Sequence, residues 1–499
     1  MAMRTKKAPA ARVAAARAPK AAPKPAGPPL APAWGWKNPG GGRSAHIAPG
    51  VEYQGTTVQL CGLFPFTAGS GAPTIGVPIG RHMLWGEVVC LDPLEWLRAG
   101  LVTNPGIFVL GQPGVGKSTI VKRLITGMVA CGTQVLILGD TKPDYTRLVE
   151  YLGGQVIRVG RGMDRINPLD SGPLGAALTR MSGTEAAQLR LEIRGRRLSL
   201  LLALCALVRT HRLTNPEEII LGRAIDILSE RLDRDPTVPD VLRLIERGSD
   251  ELRASARART DEEYRRRVDE LVPTLALLCE GSLRGVFDAE TSKPLDLNAP
   301  AVSVDISNVA AAGDQLVSAA MLSVWAYGFA MVDAAAVLAE KGLAPRRQYL
   351  GVMDELWRAL RGASGLVEHA DALTRLNRQR GMGSIMVTHS LADLDALPTE
   401  EDRAKAQGFV ERSAIKILAG LPPRELDRVG QVVKLTGPER DLVSSWAAPE
   451  AWFPGAVHPG RGKYLIKTGE RPGLPVSLSL IGDEWALYDT DTNMREERP

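Results

Sequence analysis

The chain has 499 residues, enough for a large core and two or three structural units. Its net charge of +5 is misleading, because Arg4, Lys6, Lys7, Arg12, Arg17, Lys20, Lys24, Lys37 and Arg43 fall in the first fifty residues, which hold no acid. The rest of the chain is net negative by about four charges, which argues against a body built mainly to grip DNA, although a local basic channel would not show in such a sum. The five cysteines, Cys61, Cys90, Cys131, Cys205 and Cys279, have neither CxxC pairing nor zinc-ligand spacing and read as reduced thiols of a cytosolic protein. The six histidines form no metal-binding motif.

Residues 1–50 are rich in Ala, Pro, Lys, Arg and Gly and lack an apolar signal region. They bury too little apolar surface to order themselves. They read either as a basic arm for anionic lipid or nucleic acid, or as a solubilising tail. Residues 51–104 read as short strands and turns. The run Ile107-Phe108-Val109-Leu110 is a buried strand. It leads directly into Gly111-Gln112-Pro113-Gly114-Val115-Gly116-Lys117-Ser118-Thr119, the spacing G-x-x-x-x-G-K-[ST], and then into a helix. Gln134-Val-Leu-Ile-Leu138 is a second buried strand, ending at Asp140-Thr-Lys-Pro-Asp144-Tyr145. Gln155-Val-Ile-Arg-Val159 is a third, followed by Ile166-Asn-Pro-Leu-Asp170.

From residue 171 to 300 strand signals give way to helical ones. Asn215-Pro216-Glu217-Glu218 reads as an N-cap with proline and glutamate behind it, and Thr237-Val-Pro-Asp240 opens a helix in the same way. Strands resume at Ala301-Val-Ser-Val-Asp305-Ile306, so the helical stretch is inserted within an α/β domain. Further strands are Tyr349–Met353, 384–387 and 414–418, with a closing hairpin from 463–467 and 476–480. The apolar stretches 198–208 and 316–332 are too short or too rich in Ala and Ser for a membrane span and read as buried helices.

Glycines at 111, 114 and 116 let backbone N–H groups turn toward phosphate oxygens, and the helix N-terminus adds partial positive charge. Lys117 can reach β- and γ-phosphates and Ser118 can hold Mg²⁺. Asp354-Glu355 follows the strand ending at Met353. The aspartate suits Mg²⁺, and the glutamate can take a proton from an attacking water. Thr388-His389 ends the next strand; His389 reads either as a sensor touching γ-phosphate or water, or as a histidine satisfied by backbone. A cation for the developing γ-phosphate charge is sought among Arg375, Arg378 and Arg380.

The loop with its flanking Asn104-Pro-Gly, the Asp140…Asp144-Tyr145 turn, Ile166-Asn-Pro-Leu-Asp170, Val352-Met-Asp-Glu-Leu-Trp357 and Thr388-His-Ser together resemble the HerA/FtsK superfamily, closest to the TraC-type ATPases of conjugative type IV secretion. The resemblance covers about residues 75–470, and the Ala- and Arg-rich composition suggests an actinobacterial version. It implies an α/β fold: a RecA-like P-loop NTPase core with a mostly parallel sheet, interrupted by an all-helical insertion. Its boundaries are a disordered tail at 1–50, a small β-rich segment at 51–104, core at 105–170, insertion at 171–300, core at 301–470 and a C-terminal tail at 471–499.

The same resemblance implies ATP and Mg²⁺ as ligands and a homo-hexamer with sites between subunits. Arg378 is then the arginine donated to a neighbouring site, with Glu355, Lys117 and His389 completing the catalytic set. It also implies type IV secretion channel components as partners and a cytoplasmic location, peripheral on the membrane. The chain departs from the family at His389, often glutamine there, and in its reduced N-terminal region. Two other readings stand beside this one: a DNA-translocating motor of the coupling-protein or FtsK type, and a nucleotide-gated scaffold with little turnover.

Overall fold

The computed structural model describes residues 72–489 apart from positions 210, 282, 311–312, 362–380, 398 and 448–457. The tail at 1–50 and most of the first β-rich stretch, with Arg375, Arg378 and Arg380, lie outside the described residues. The strands are β1 (Val77–His82), β2 (Val88–Leu91), β3 (Gly106–Leu110), β4 (Gln134–Asp140), β5 (Gln155–Arg158), β6 (Ala301–Asp305), β7 (Tyr349–Met353), β8 (Met382–Thr388), β9 (Ile415–Leu418), β10 (Lys463–Thr468) and β11 (Leu474–Ser477). All join one sheet, in the order β2-β1-β11-β10-β9-β3-β8-β7-β4-β6-β5. From β9 to β5 every pairing is parallel, and from β9 back to β2 every pairing is antiparallel.

The parallel strands inside the sheet are buried on both faces, as their largely apolar runs require, while the edge strand β5 exposes Arg158. Alternation then divides them between two cores. Ile107, Val109, Val135, Ile137, Ile385 and Val387 pack on one side with Ile120, Leu124 and Met128 of the helix that follows the glycine loop. Phe108, Leu110, Leu136 and Leu138 face the other side, with Met321, Trp325 and Phe329 of the helix Asp314–Glu340. That helix alone among the described residues is long and apolar enough to cross a membrane, and 78% of its most apolar window is buried. It lies close on the sheet: a Cβ at Gly328 would stand 2.5 Å from Leu138 Cδ2. The Trp325 indole N–H donates to the Leu138 carbonyl at 2.8 Å.

Between β5 and β6 the described residues form helices and turns, with no strand. The helix Asn215–Arg231 is capped by Thr214, one residue earlier than the sequence suggested. The Thr214 N–H donates to Glu217 at 2.8 Å, closing a capping box. Thr237 with Asp240 does the same for Val238–Arg247. The Ile166–Asp170 turn ties this unit to the core. The Asn167 amide donates to Pro236 O at 2.9 Å, and the Leu169 carbonyl accepts from Arg197 Nε at 2.7 Å.

Two boundaries look different in the structure. β1 and β2, from the β-rich stretch 51–104, join the sheet of the core, since β1 pairs with β11. β11 and the helix Glu484–Tyr488 lie beyond residue 470, where a tail was expected. The hairpin expected from 463–467 and 476–480 is β10 with β11, although β11 starts two residues earlier, at Leu474, and includes Pro475.

Candidate active site

The glycine loop leaves the buried end of β3 and packs tightly. A Cβ at Gly111 would stand 2.6 Å from the Ala419 Cβ. Gly114 and Gly116 have φ of 80° and 98°, the left-handed region open to glycine. Val115 between them is fully buried and pins the loop, and the Gly116 carbonyl accepts from the Tyr464 hydroxyl at 2.7 Å. Lys117 opens the helix Lys117–Ala130. Its ammonium is turned back over the loop, donating to Gly111 O at 2.7 Å and Gln112 O at 3.0 Å, and meeting His389 Nδ1 at 2.7 Å. Burial lowers its pKa to about 8, against the opposing pull of Asp354 and Glu355.

Asp354 and Glu355 leave the end of β7. The fully buried Tyr145 donates its hydroxyl to Asp354 at 2.7 Å, and Tyr145 is itself held by its N–H on Asp140 at 3.0 Å. Burial raises the Asp354 pKa, and the tyrosine hydrogen bond opposes that rise. Glu355 has φ of 52°, a left-handed backbone that a non-glycine residue keeps only where its surroundings hold it. Three donors do so: His389 Nε2 at 2.9 Å and Lys142 Nζ at 3.2 Å on one oxygen, and Trp357 Nε1 at 2.7 Å on the other. Burial alone would raise the Glu355 pKa, but the hydrogen bond from His389, then Lys142 and Trp357, hold it below the ordinary carboxylate range. Because the Lys117 ammonium can only donate, His389 accepts at Nδ1 and donates from Nε2.

These groups share a cavity of about 520 Å³, within the size range of small-molecule sites. Pro113, Gly114, Gly116, Lys117, Ser118 and Thr119 line it, opposite Asp354, Glu355 and His389. Gly111, Gln112 and Val115 build the loop from behind. A left-handed glycine loop, a lysine and a helix N-terminus on one cavity suit a polyphosphate. Among the described residues no group of three or more His, Cys, Asp or Glu side chains forms a metal cage. Mg²⁺ needs none, since it is held through one or two carboxylates and substrate phosphates, and Ser118 with Asp354 would supply that donor set.

Three participants escaped the sequence reading. Lys142 gives the site a second cation beside Lys117; its place just past β4 was the available signal. Tyr145 was noted only as part of a turn. Leu478, Ser479, Leu480, Trp485, Tyr488 and Asp489 also line the cavity, and no motif had marked them as site residues.

No protein-family model and no curated protein sequence matches the chain. Among solved structures, VirB4 of Thermoanaerobacter pseudethanolicus is similar, with a TM-score of 0.63 at 20% identity, covering 83% of this chain and 100% of that one. Plasmid coupling protein TrwB is more remote. Its complex with a non-hydrolysable ATP analogue has a TM-score of 0.46 at 13% identity, covering 83% of this chain and 91% of that one. Its complex with ADP and Mg²⁺ has a TM-score of 0.45 at 12% identity, covering 81% and 90%. The chain thus has a RecA-like P-loop NTPase fold similar to that of VirB4, the fold that its HerA/FtsK resemblance implies.

Proposed function

We propose that this chain is a Mg²⁺-dependent ATPase working as a ring motor of a conjugative or type IV secretion system. One observation carries the enzymatic part. Lys117, His389 and Glu355 form a continuous contact chain in a single cavity, joining the phosphate loop to the carboxylate after β7. In this reading the loop and the N-terminus of the helix Lys117–Ala130 hold the phosphates of ATP. Lys117 leaves the Gly111 and Gln112 carbonyls and His389 for the β- and γ-oxygens. Ser118 and Asp354 would hold Mg²⁺, which would supply further positive charge to the phosphates. His389 keeps Glu355 in place through Nε2–H while its vacated Nδ1 accepts from the attacking water.

A carboxylate held below its ordinary pKa range is a weak base. Lys142 answers this difficulty: its side chain is 63% exposed and can turn from Glu355 to the γ-phosphate, raising the carboxylate's proton affinity when a base is needed. A further cation is assigned to Arg378 of an adjoining copy on its sequence position before β8 alone. The hexameric ring, the channel components as partners and the cytoplasmic face of the membrane as location belong to the same reading, supported by the VirB4-like fold.

Nucleotide binding and steady-state turnover test it. Lys117→Ala weakens binding, and Glu355→Gln keeps binding and loses hydrolysis. A Glu355→Gln protein turning over at the parental rate removes Glu355 as the base. Restored activity on mixing Lys117→Ala with Arg378→Ala supports a site shared between copies. Turnover stimulated by DNA would move the reading to a DNA-translocating motor, and binding without turnover to a nucleotide-gated scaffold.

A further inference from the structure

We infer that the chain after β11 supplies the nucleobase subsite of this cavity, with the Trp485 indole as the platform on which the base stacks. The inference rests on the reading of the cavity as an ATP site.

The cavity has three walls of different chemistry. One is the phosphate loop, and a second carries Asp354, Glu355 and His389. The third carries Gly462, Leu478, Leu480, Trp485 and Tyr488, with Arg461, Ser479 and Asp489 among them, so it sets an aliphatic and aromatic face beside a few polar groups. Its position along the loop gives it an end of the ligand. Lys117 lies on the carbonyls of Gly111 and Gln112 and touches His389, so the start of the loop faces the hydrolytic residues. The other end of the loop borders the third wall. The Gly462 N–H meets Val115 O at 3.5 Å, and the Leu478 N–H donates to Gly462 O at 2.8 Å. A nucleoside triphosphate with its terminal phosphate toward Glu355 therefore carries its base toward Leu478–Leu480 and Trp485.

This wall is fastened to the loop's own helix. Arg123 donates to Ser479 O at 2.9 Å and pairs with Glu484. Thr126 and Tyr488 share a hydrogen bond of 2.8 Å, and the wholly buried Lys122 reaches Leu487 O at 3.4 Å. Tyr151 adds a bond to Asp483 at 3.2 Å. Platform and phosphate cradle are thus held by the same helix, which spares a ligand the ordering of the strap.

Trp485 itself is the anomaly. Three residues further on Tyr488 is buried, yet Trp485 is 67% exposed at the cavity. A tryptophan left open beside a ligand cavity offers a large flat apolar face at little further ordering. Every base has a π-face to meet it, and such stacking is worth roughly tenfold or more in affinity.

The test measures binding of Mg²⁺-ADP, Mg²⁺-ATP and Mg²⁺-tripolyphosphate to the full chain and to Trp485→Ala, Trp485→Phe and Lys117→Ala, with a thermal melt as the control for folding. Trp485→Ala should weaken both nucleotides about tenfold and leave tripolyphosphate within about twofold, while Trp485→Phe keeps most of the nucleotide affinity. Equal weakening of tripolyphosphate overturns the inference, as do unchanged nucleotide affinity and tighter binding of all three ligands. So does a Trp485→Ala protein that binds ADP normally but sediments as a smaller assembly, since Trp485 would then belong to a contact between copies. Lys117→Ala should weaken all three ligands. If it weakens none, the phosphate-loop reading fails, whatever Trp485 does.

Discussion

The ammonium of Lys117 lies 2.7 Å from Nδ1 of His389, across 272 residues of chain. The lysine of the glycine loop is therefore tied to the histidine that also holds Glu355. On the proposed ATPase reading, nucleotide must break this contact before Lys117 can reach its phosphates.

His389→Ala removes that tie together with one of the three bonds on Glu355. ADP binding should stay level or tighten, because Lys117 is released, while turnover falls by about two orders of magnitude as Glu355 loses its orientation. Separate measurement of ADP affinity and of kcat decides the matter. If affinity collapses along with kcat, His389 supports the loop and does not position the base.

Lys117 gives the site a pH dependence. Burial lowers its pKa to about 8 in the free protein, and phosphate oxygens in the complex favour the ammonium. Binding therefore takes up a proton wherever the free lysine has lost one. Affinity for ADP should be level well below pH 8 and fall as pH rises through 8, by up to about tenfold per unit until the bound lysine titrates. A titration series from pH 6.5 to 9.5 checks this, with Lys117→Gln as the flat control. A wild-type curve as flat as that control refutes it.

Tyr145→Phe deletes the hydroxyl that donates to Asp354 and leaves a buried ring of nearly the same shape. A hydrogen bond to a charged group contributes about 1.5–3 kcal/mol. Its loss should loosen the carboxylate, lower the melting temperature by a few degrees and raise the Mg²⁺ concentration for half-maximal turnover about tenfold. An unaltered Mg²⁺ dependence would show that Asp354 is placed by its backbone alone.

Arg209 and Glu217 form an ion pair at 2.8 Å with side chains only 7% and 5% exposed, and Glu217 also closes the capping box on Thr214. Glu217→Ala breaks both and leaves a buried guanidinium with weaker partners. The cost is about 3 kcal/mol, read as a lower urea midpoint for the helical unit. A shift below about 1 kcal/mol would mean that Glu270, 3.7 Å from Arg209, takes over the pairing.

The sequence alone determined the parts whose chemistry is local. Gly111 to Thr119 is legible because the glycines, the lysine and the hydroxyl act on one ligand from consecutive positions. Ile107–Leu110, Gln134–Leu138 and Tyr349–Met353 are legible because a strand buried on both faces must be apolar throughout. Asp354 and Glu355 follow from their place at the end of such a strand. The tertiary structure decided what depends on meetings between distant segments. Strand order brings β8 between β3 and β7, and only that order puts His389 against both Lys117 and Glu355. Tyr145 finds Asp354 from 209 residues away, and Trp485 comes to the cavity because Arg123 and Thr126 of the loop helix hold the strand-poor segment behind it. Such contacts leave no period or spacing in the chain, because they arise from how packed faces close on one another and not from the preferences of neighbouring residues.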